Sequence, residues 1–246
     1  MLDDSSISFL QTDYNALQKI ASEGVAMFVC DSTNALLEEK LPSENDVRQS
    51  LIKMMPSFEK GVIATCFASN LMRLESLILA AHEAERTPVL VGRSLIQNMR
   101  IAKENGYFQN IPNYLDISEA QDIPSDKVLY ICTGSQANYR SALTLIANNE
   151  YKSIKLGVGD TIIFSSKMIP GNEDKIERMQ DKLIAQGVEV ITADDALVHT
   201  SGHATKEELR YMYDLLKPEV VLPVHGSRRF TREQQRFALG CGIKQV

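Results

Sequence analysis

The stretch Val198–Ser227, VHTSGHATKEELRYMYDLLKPEVVLPVHGS, reads as loop, helix, strand and loop, and holds three of the chain's four histidines, His199, His203 and His225. Thr205 and Glu208 have the Thr-x-x-Glu spacing of a capping box, in which each side chain satisfies a free backbone N–H at a helix start. The spacing predicts a helix from Lys206 to Leu216, stopped by Pro218, which cannot continue helical hydrogen bonding. Glu219–Val224 is then a short apolar run that ends at His225 and Gly226. A helix that packs back along the strand it feeds returns the chain to the side it left. His203 and His225 are therefore expected at one crevice although 22 positions separate them. Two imidazoles on loops are raw material for metal binding or proton transfer, and equally are ordinary surface residues.

The same alternation extends through the rest of the chain. Apolar runs suited to strands are Val25–Cys30, Gly61–Thr65, Pro88–Gly92, Lys127–Cys132, Asp160–Ser165, Val188–Ile191 and Val220–Val224. Amphipathic segments lie between them, such as Leu71–Glu85, with Leu74, Leu77, Ile78 and Ala81 on one face. Continuous apolar strands separated by helices predict an α/β fold, a mainly parallel sheet with helices on both faces.

Open α/β sheets bind ligands beyond the carboxyl ends of their strands. There the chain places Asp31-Ser32-Thr33-Asn34, then Phe67-Ala68-Ser69-Asn70, Thr133-Gly134-Ser135-Gln136, and a string from Ser165 and Ser166 to Gly171 and Asn172. Small hydroxyl and amide side chains at helix starts suit a row of phosphates, and they are also ordinary helix caps. No GxxxxGK[ST] occurs, and Gly157-Val158-Gly159 lacks the third glycine of a dinucleotide fingerprint.

Composition narrows the choice. The 246 residues are 44% hydrophobic and 24% charged, ordinary for a globular chain with a sizeable core. No apolar run is long enough to cross a bilayer, and the amino end MLDDSSISF lacks a basic start, so no membrane association and a cytoplasmic location are expected. Cys30, Cys66, Cys132 and Cys241 show no CxxC pairing and read as free thiols. A formal net charge of −6 argues against a broad basic platform for nucleic acid and leaves room for a narrow groove.

The strings themselves carry a resemblance. DSTNA after Cys30, IPGNE after Met168, SGHA at Ser201–Ala204 and PVHG at Pro223–Gly226 occur in the order and spacing of the ribonuclease J family, β-CASP nucleases of the metallo-β-lactamase superfamily. The resemblance implies catalytic roles for Asp31 and His203 and a zinc ligand in His225. It implies RNA contacts at Ser69, Asn70, Ser135, Gln136, Ser165, Ser166, Gly171, Asn172, Ser201 and Gly202, with single-stranded RNA as partner. Two departures stand out. Gln136 is followed by Ala137-Asn138-Tyr139 instead of Gly-Glu-Pro, and Gly226 by Ser227-Arg228-Arg229 instead of an acid.

The family's two zinc ions are held mainly by HxHxDH, a later histidine and a GDF or GDW aspartate, and no HxH occurs in this sequence. The resemblance therefore implies an internal piece lacking the first zinc motifs and the C-terminal domain. Its expected parts are residues 1–42 closing a first metallo-β-lactamase half, 43–196 forming the β-CASP domain, and 197–246 returning metallo-β-lactamase elements. Such a piece is expected to be inactive alone. It could be half of a split ribonuclease completed by a separately encoded metallo-β-lactamase half, or a stand-alone RNA-binding or assembly module. Strands Val25–Cys30 and Val220–Val224 would then pair with each other, leave an apolar patch, or promote self-association.

Overall fold

The computed structural model describes residues 12–246; the amino-terminal stretch MLDDSSISF lies outside the described residues. The chain forms two compact units, one of Glu44–Thr200 and the other of Ser201–Val246 with the chain up to Ser43.

The larger unit is a six-stranded, wholly parallel sheet. Its strands are β2 (Val62–Thr65), β3 (Thr87–Val91), β4 (Leu115–Asp116), β5 (Val128–Cys132), β6 (Thr161–Phe164) and β7 (Glu189–Ile191), in the order β4-β3-β5-β2-β6-β7. Runs such as VIAT and TIIF are buried along their whole length, as parallel strands covered on both faces must be. Alternation along each strand divides two cores. Ile63, Val89, Val91, Cys132, Ile162 and Phe164 pack with Leu143 and Ile146 of α5 (Ala142–Ala147) and with Ile176, Met179 and Leu183 of α6 (Glu173–Ile184). Their strand neighbours point the other way, where α3 (Leu71–Glu83) lies against β3 and β5 and α4 (Arg93–Glu104) against β3. Helix α2 (Glu44–Met54) packs on α3. The expected α/β class with a mainly parallel sheet is the observed architecture.

The smaller unit holds α1 (Tyr14–Glu23), β1 (Met27–Asp31), α7 (Lys206–Leu216), β8 (Val220–Val224) and α8 (Arg228–Gly240). Helix α7 has the predicted bounds. Its capping box closes through Glu208, whose carboxylate accepts the Thr205 N–H at 3.1 Å, and Lys217 ends it in the left-handed conformation at φ 45°. Strands β1 and β8 pair with each other in parallel, from Met27↔Val220 to Asp31↔Val224. Phe28, Cys30 and Val221 face a core of Leu209, Tyr213 and Ala238. The alternate residues Met27, Val29, Leu222 and Val224 are exposed. Of the three outcomes expected for these strands, the structure shows the mutual pairing and, on the outer face, an apolar patch.

The unit divisions fall at Ser43/Glu44 and Thr200/Ser201, beside the 42/43 and 196/197 positions inferred from the resemblance. Helices α1 and α8 and the two-residue strand β4 have no counterpart among the predicted elements.

Candidate functional site

Parallel pairing brings the carboxyl ends of β1 and β8 to one rim of the smaller unit, and three functional side chains meet there. Asp31 is the last residue of β1 and His225 follows the last residue of β8. His203 comes from the loop that opens α7. Asp31 Oδ1 lies 3.1 Å from His203 Nδ1, and Asp31 Oδ2 lies 3.2 Å from His225 Nδ1. The two imidazoles stack with centroids 5.5 Å apart and planes 21° from parallel. Side-chain exposure rises from 31% at Asp31 to 44% at His203 and 66% at His225, so the carboxylate sits beneath two rings open to solvent.

The DSTN string builds the floor of this site. Thr33 N–H donates to Asp31 Oδ1 at 2.8 Å, and the Thr33 hydroxyl lies 3.2 Å from Asp31 Oδ2 and 2.8 Å from His225 Nδ1. Ser32 Oγ donates to the Val224 carbonyl at 2.8 Å, tying the two strand ends. Asn34, buried, donates through Nδ2 to the His203 carbonyl at 2.7 Å and to Ser201 Oγ at 3.2 Å, holding the SGHA loop. Sequence reading had singled out Asp31 from this string and missed the positioning roles of Ser32, Thr33 and Asn34. Their signal was present in DSTN, but short polar residues after a strand look like caps until the partner loop is known.

His225 adopts φ 58°, a left-handed conformation that costs a non-glycine residue free energy and is commonest at functional positions. Gly226 follows at φ 98°. Ser201 Oγ accepts from Asn34 Nδ2 and, at 3.2 Å, from the His203 N–H. Gly202 beside it is exposed, with open space where a Cβ would stand.

The remaining expected contacts lie in the larger unit, at the carboxyl ends of β2, β5 and β6. Ser69 is exposed, and Asn70 caps α3 by accepting the Arg73 N–H at 3.0 Å. Ser135 is buried. Gln136 braces the next loop, donating to the Lys167 carbonyl and accepting the Ile169 N–H, both at 2.9 Å. Ser166 lines a cavity of about 350 Å³ with Ser135, while Gly171 is exposed and Asn172 half-buried ahead of α6. Ser165 is committed inside the unit: its Oγ donates to the Val198 carbonyl at 2.6 Å and accepts from Arg73 Nη1 at 2.7 Å.

Arg73 organises that corner. It is wholly buried, and pairs with Glu44 at 2.9 Å. Beside it, burial first, then the charges of Arg73 and Lys167, hold His199 down at about 4, so this ring is neutral at pH 7. Burial likewise pushes the Cys66 and Cys132 thiols up to about 12, so both stay protonated. The cysteines are free, as expected, with Cys241 half-exposed.

Among the described residues, Asp31, His203 and His225 are the His/Cys/Asp/Glu group whose ligand atoms could hold a metal ion, all within 4.8 Å of one another. No helix among the described residues is long and apolar enough to cross a membrane.

Fold and site together define an α/β protein, with a parallel six-stranded sheet in one unit and a carboxylate–dihistidine site in the other. Comparison with known proteins makes this specific. Residues 59–183 match the family described as Ribonuclease J, beta-CASP domain, and residues 187–238 match the Zn-dependent metallo-hydrolase RNA specificity domain. The chain belongs to the ribonuclease J family. It is 41% identical to Ribonuclease J of Sinorhizobium meliloti over 96% of this chain and 42% of the relative. It is 39% identical to Ribonuclease J of Mycolicibacterium smegmatis, over 98% of this chain and 44% of that protein. Against Ribonuclease J of Helicobacter pylori strain J99 it is 31% identical, over 99% and 35%. The chain thus spans less than half the length of these relatives.

Proposed function

We propose that this chain supplies the RNA-binding part and a portion of the hydrolytic centre of a zinc-dependent ribonuclease that cleaves phosphodiesters of single-stranded RNA. The observation that carries this reading is the Asp31 carboxylate with a histidine Nδ1 on each oxygen, at 3.1 and 3.2 Å. A carboxylate so placed holds each ring with its proton on Nδ1 and directs each Nε2 lone pair outward.

His225 fits a zinc ligand, being a well-exposed imidazole whose other nitrogen is already hydrogen-bonded. Zinc, when bound, supplies Lewis acidity that makes water nucleophilic near neutral pH and polarises a phosphoryl oxygen. His203 would contact the scissile phosphate and carry charge or a proton, with Asp31 orienting it through the 3.1 Å contact to its Nδ1. Ser201 would donate its hydroxyl proton to a phosphate oxygen, and exposed Gly202 would let the backbone approach. In the larger unit, Ser69, Ser135, Ser166, Gly171 and Asn172 would hold further phosphates. Ser165, Asn70 and Gln136, engaged internally, would position those loops.

One exposed histidine ligand with an open coordination sphere does not make a tight zinc site. The isolated chain is therefore expected to leave RNA intact, and cleavage to need a metallo-β-lactamase half carrying HxHxDH, encoded separately or in a longer chain. The test incubates the purified chain with zinc and single-stranded RNA, with and without such a half produced separately. Cleavage only in the mixture supports the reading. Metal-dependent cleavage by the chain alone overturns the need for a second half. RNA binding without cleavage in a stably formed mixture identifies a non-catalytic RNA-binding or assembly module instead.

A further inference from the structure

Helix α8 carries charge that the hydrolytic reading does not use. Its sequence, RRFTREQQRFALG, sets four arginines against one glutamate in a chain of formal net charge −6. Arg228, Arg229, Arg232 and Arg236 are exposed while Gln234 and Ala238 are buried, so the guanidiniums occupy the side turned away from the core. Positions 228, 232 and 236 recur every fourth residue, with 229 alongside, and form one stripe down the helix. Among the described residues only Arg236 meets an acid, Glu233 at 3.9 Å, and Glu233 also holds Lys206 Nζ at 3.1 Å.

Local electrostatics oppose this placement. A helix amino end is the positive end of its dipole and favours acids. Helix α8 has no acid in its first turn and puts Arg228 and Arg229 there, behind a Ser227 cap that makes no side-chain hydrogen bond. An anion at this end would meet free backbone N–H groups and guanidiniums together. A second feature points the same way. Arg228 and Arg232 share a groove of about 420 Å³ with Pro223, Thr231, Gln235 and Val246, and no acidic side chain lines it. The stripe starts three residues after His225, in the same unit.

We propose that the exposed arginine face of α8 is a track for the phosphate backbone of single-stranded RNA, gripping phosphate oxygens without reading bases. The proposal rests on the ribonuclease reading and adds a surface which that reading does not contain. RNA is favoured over an anionic membrane because a helix lying on lipid needs an exposed apolar side, whereas Leu239 is the only exposed large apolar residue of α8.

The test titrates a fluorescent oligouridine into the whole chain across a salt series, comparing it with the variant R228Q/R229Q/R232Q/R236Q. Each phosphate contact to a single strand contributes about 0.7 to the slope of log affinity against log salt. The variant should lose about 2 to 3 from that slope and bind roughly tenfold or more weakly at low salt. Its melting temperature should stay at or above that of the unsubstituted chain. The pairs R228Q/R229Q and R232Q/R236Q should each remove about half of the slope change, and four lysines in place of the arginines should restore it. An unchanged slope and affinity in the folded glutamine variant overturns the track while leaving RNA binding elsewhere on the chain intact. No RNA binding by the unsubstituted chain at low salt overturns the RNA reading and the track together. Loss of binding to phosphatidylserine vesicles, with RNA binding unchanged, assigns the stripe to lipid and overturns the proposal.

Discussion

Arg73 is among the largest fully buried side chains of the described residues, and all three guanidinium nitrogens have partners: Glu44, Ser165, and the Val198 carbonyl at 2.7 Å. Replacing it with methionine would leave the buried Glu44 carboxylate without a counter-charge. Urea denaturation should show a loss of about 3–5 kcal/mol, and adding Glu44→Gln should recover much of it. His199 predicts a pH dependence. Its folded value of about 4 lies below the ordinary 6.5, so between those values the unfolded chain binds the extra proton. Its contribution is therefore complete above pH 6.5 and declines as pH falls toward 4. Between pH 7 and 4.5 the unsubstituted protein should lose on the order of 2 kcal/mol more than His199→Gln does. Equal losses would mean that the ring protonates freely in the fold. At the site, Asp31→Asn should lower cleavage by the complemented enzyme about 10–100-fold, because it releases both rings. Circular dichroism should show the fold retained.

Helix α7 was legible from its local signals, an amino-terminal Thr-x-x-Glu and a proline after its end, and its bounds are those predicted. Helix α8 was not. Its apolar residues are sparse among arginines and glutamines, so its buried side, Gln234 and Ala238, does not stand out as an apolar stripe. Arginines in its first turn oppose the dipole, so R228E/R229E should stabilise the protein by about 0.3–1 kcal/mol per residue while weakening RNA binding. Thermal melts at low ionic strength would show the gain, and a drop in melting temperature would mean that these arginines support the fold. Strand β1 begins later than expected, at Met27, yet the Val25 and Ala26 carbonyls already accept the Glu219 and Val220 N–H groups at 3.0 Å. The apolar run therefore marked where pairing starts more closely than where regular strand geometry does.

At the scale of the whole molecule the two units differ in how their sheets are protected. In the larger one, β5, β2 and β6 are flanked on both sides by other strands. In the smaller one, β1 and β8 form a two-stranded sheet, extended past β8 only by a single bridge to Gln245 among the described residues, and Met27 and Val29 are each 52% exposed. Amides of β1 and β8 should exchange with deuterium faster than those of β2, β5 and β6, and a metallo-β-lactamase half should slow them. The apolar outer face should also promote self-association, seen as a concentration-dependent mass in sedimentation that Val29→Lys with Leu222→Lys reduces. Uniform protection in a monomer at all concentrations would show that this face needs no cover.

The α/β class followed from sequence alone, because a parallel strand buried on both faces must be apolar throughout, and that pattern is local. The candidate residues Asp31, His203 and His225 were likewise legible, as short strings in a family's order. What local pattern could not contain was their geometry. The 3.1 and 3.2 Å contacts of Asp31 depend on the β1–β8 register, which pairs Asp31 with Val224 across 193 positions and is set by packing of Phe28, Cys30 and Val221 on α7 and α8. Tertiary structure also turned Ser165 inward and buried Arg73. A serine at a strand end and an arginine in a helix carry no mark of their surroundings. The direction a polar group faces is decided by the partners that folding brings to it, here Glu44 and the Val198 carbonyl.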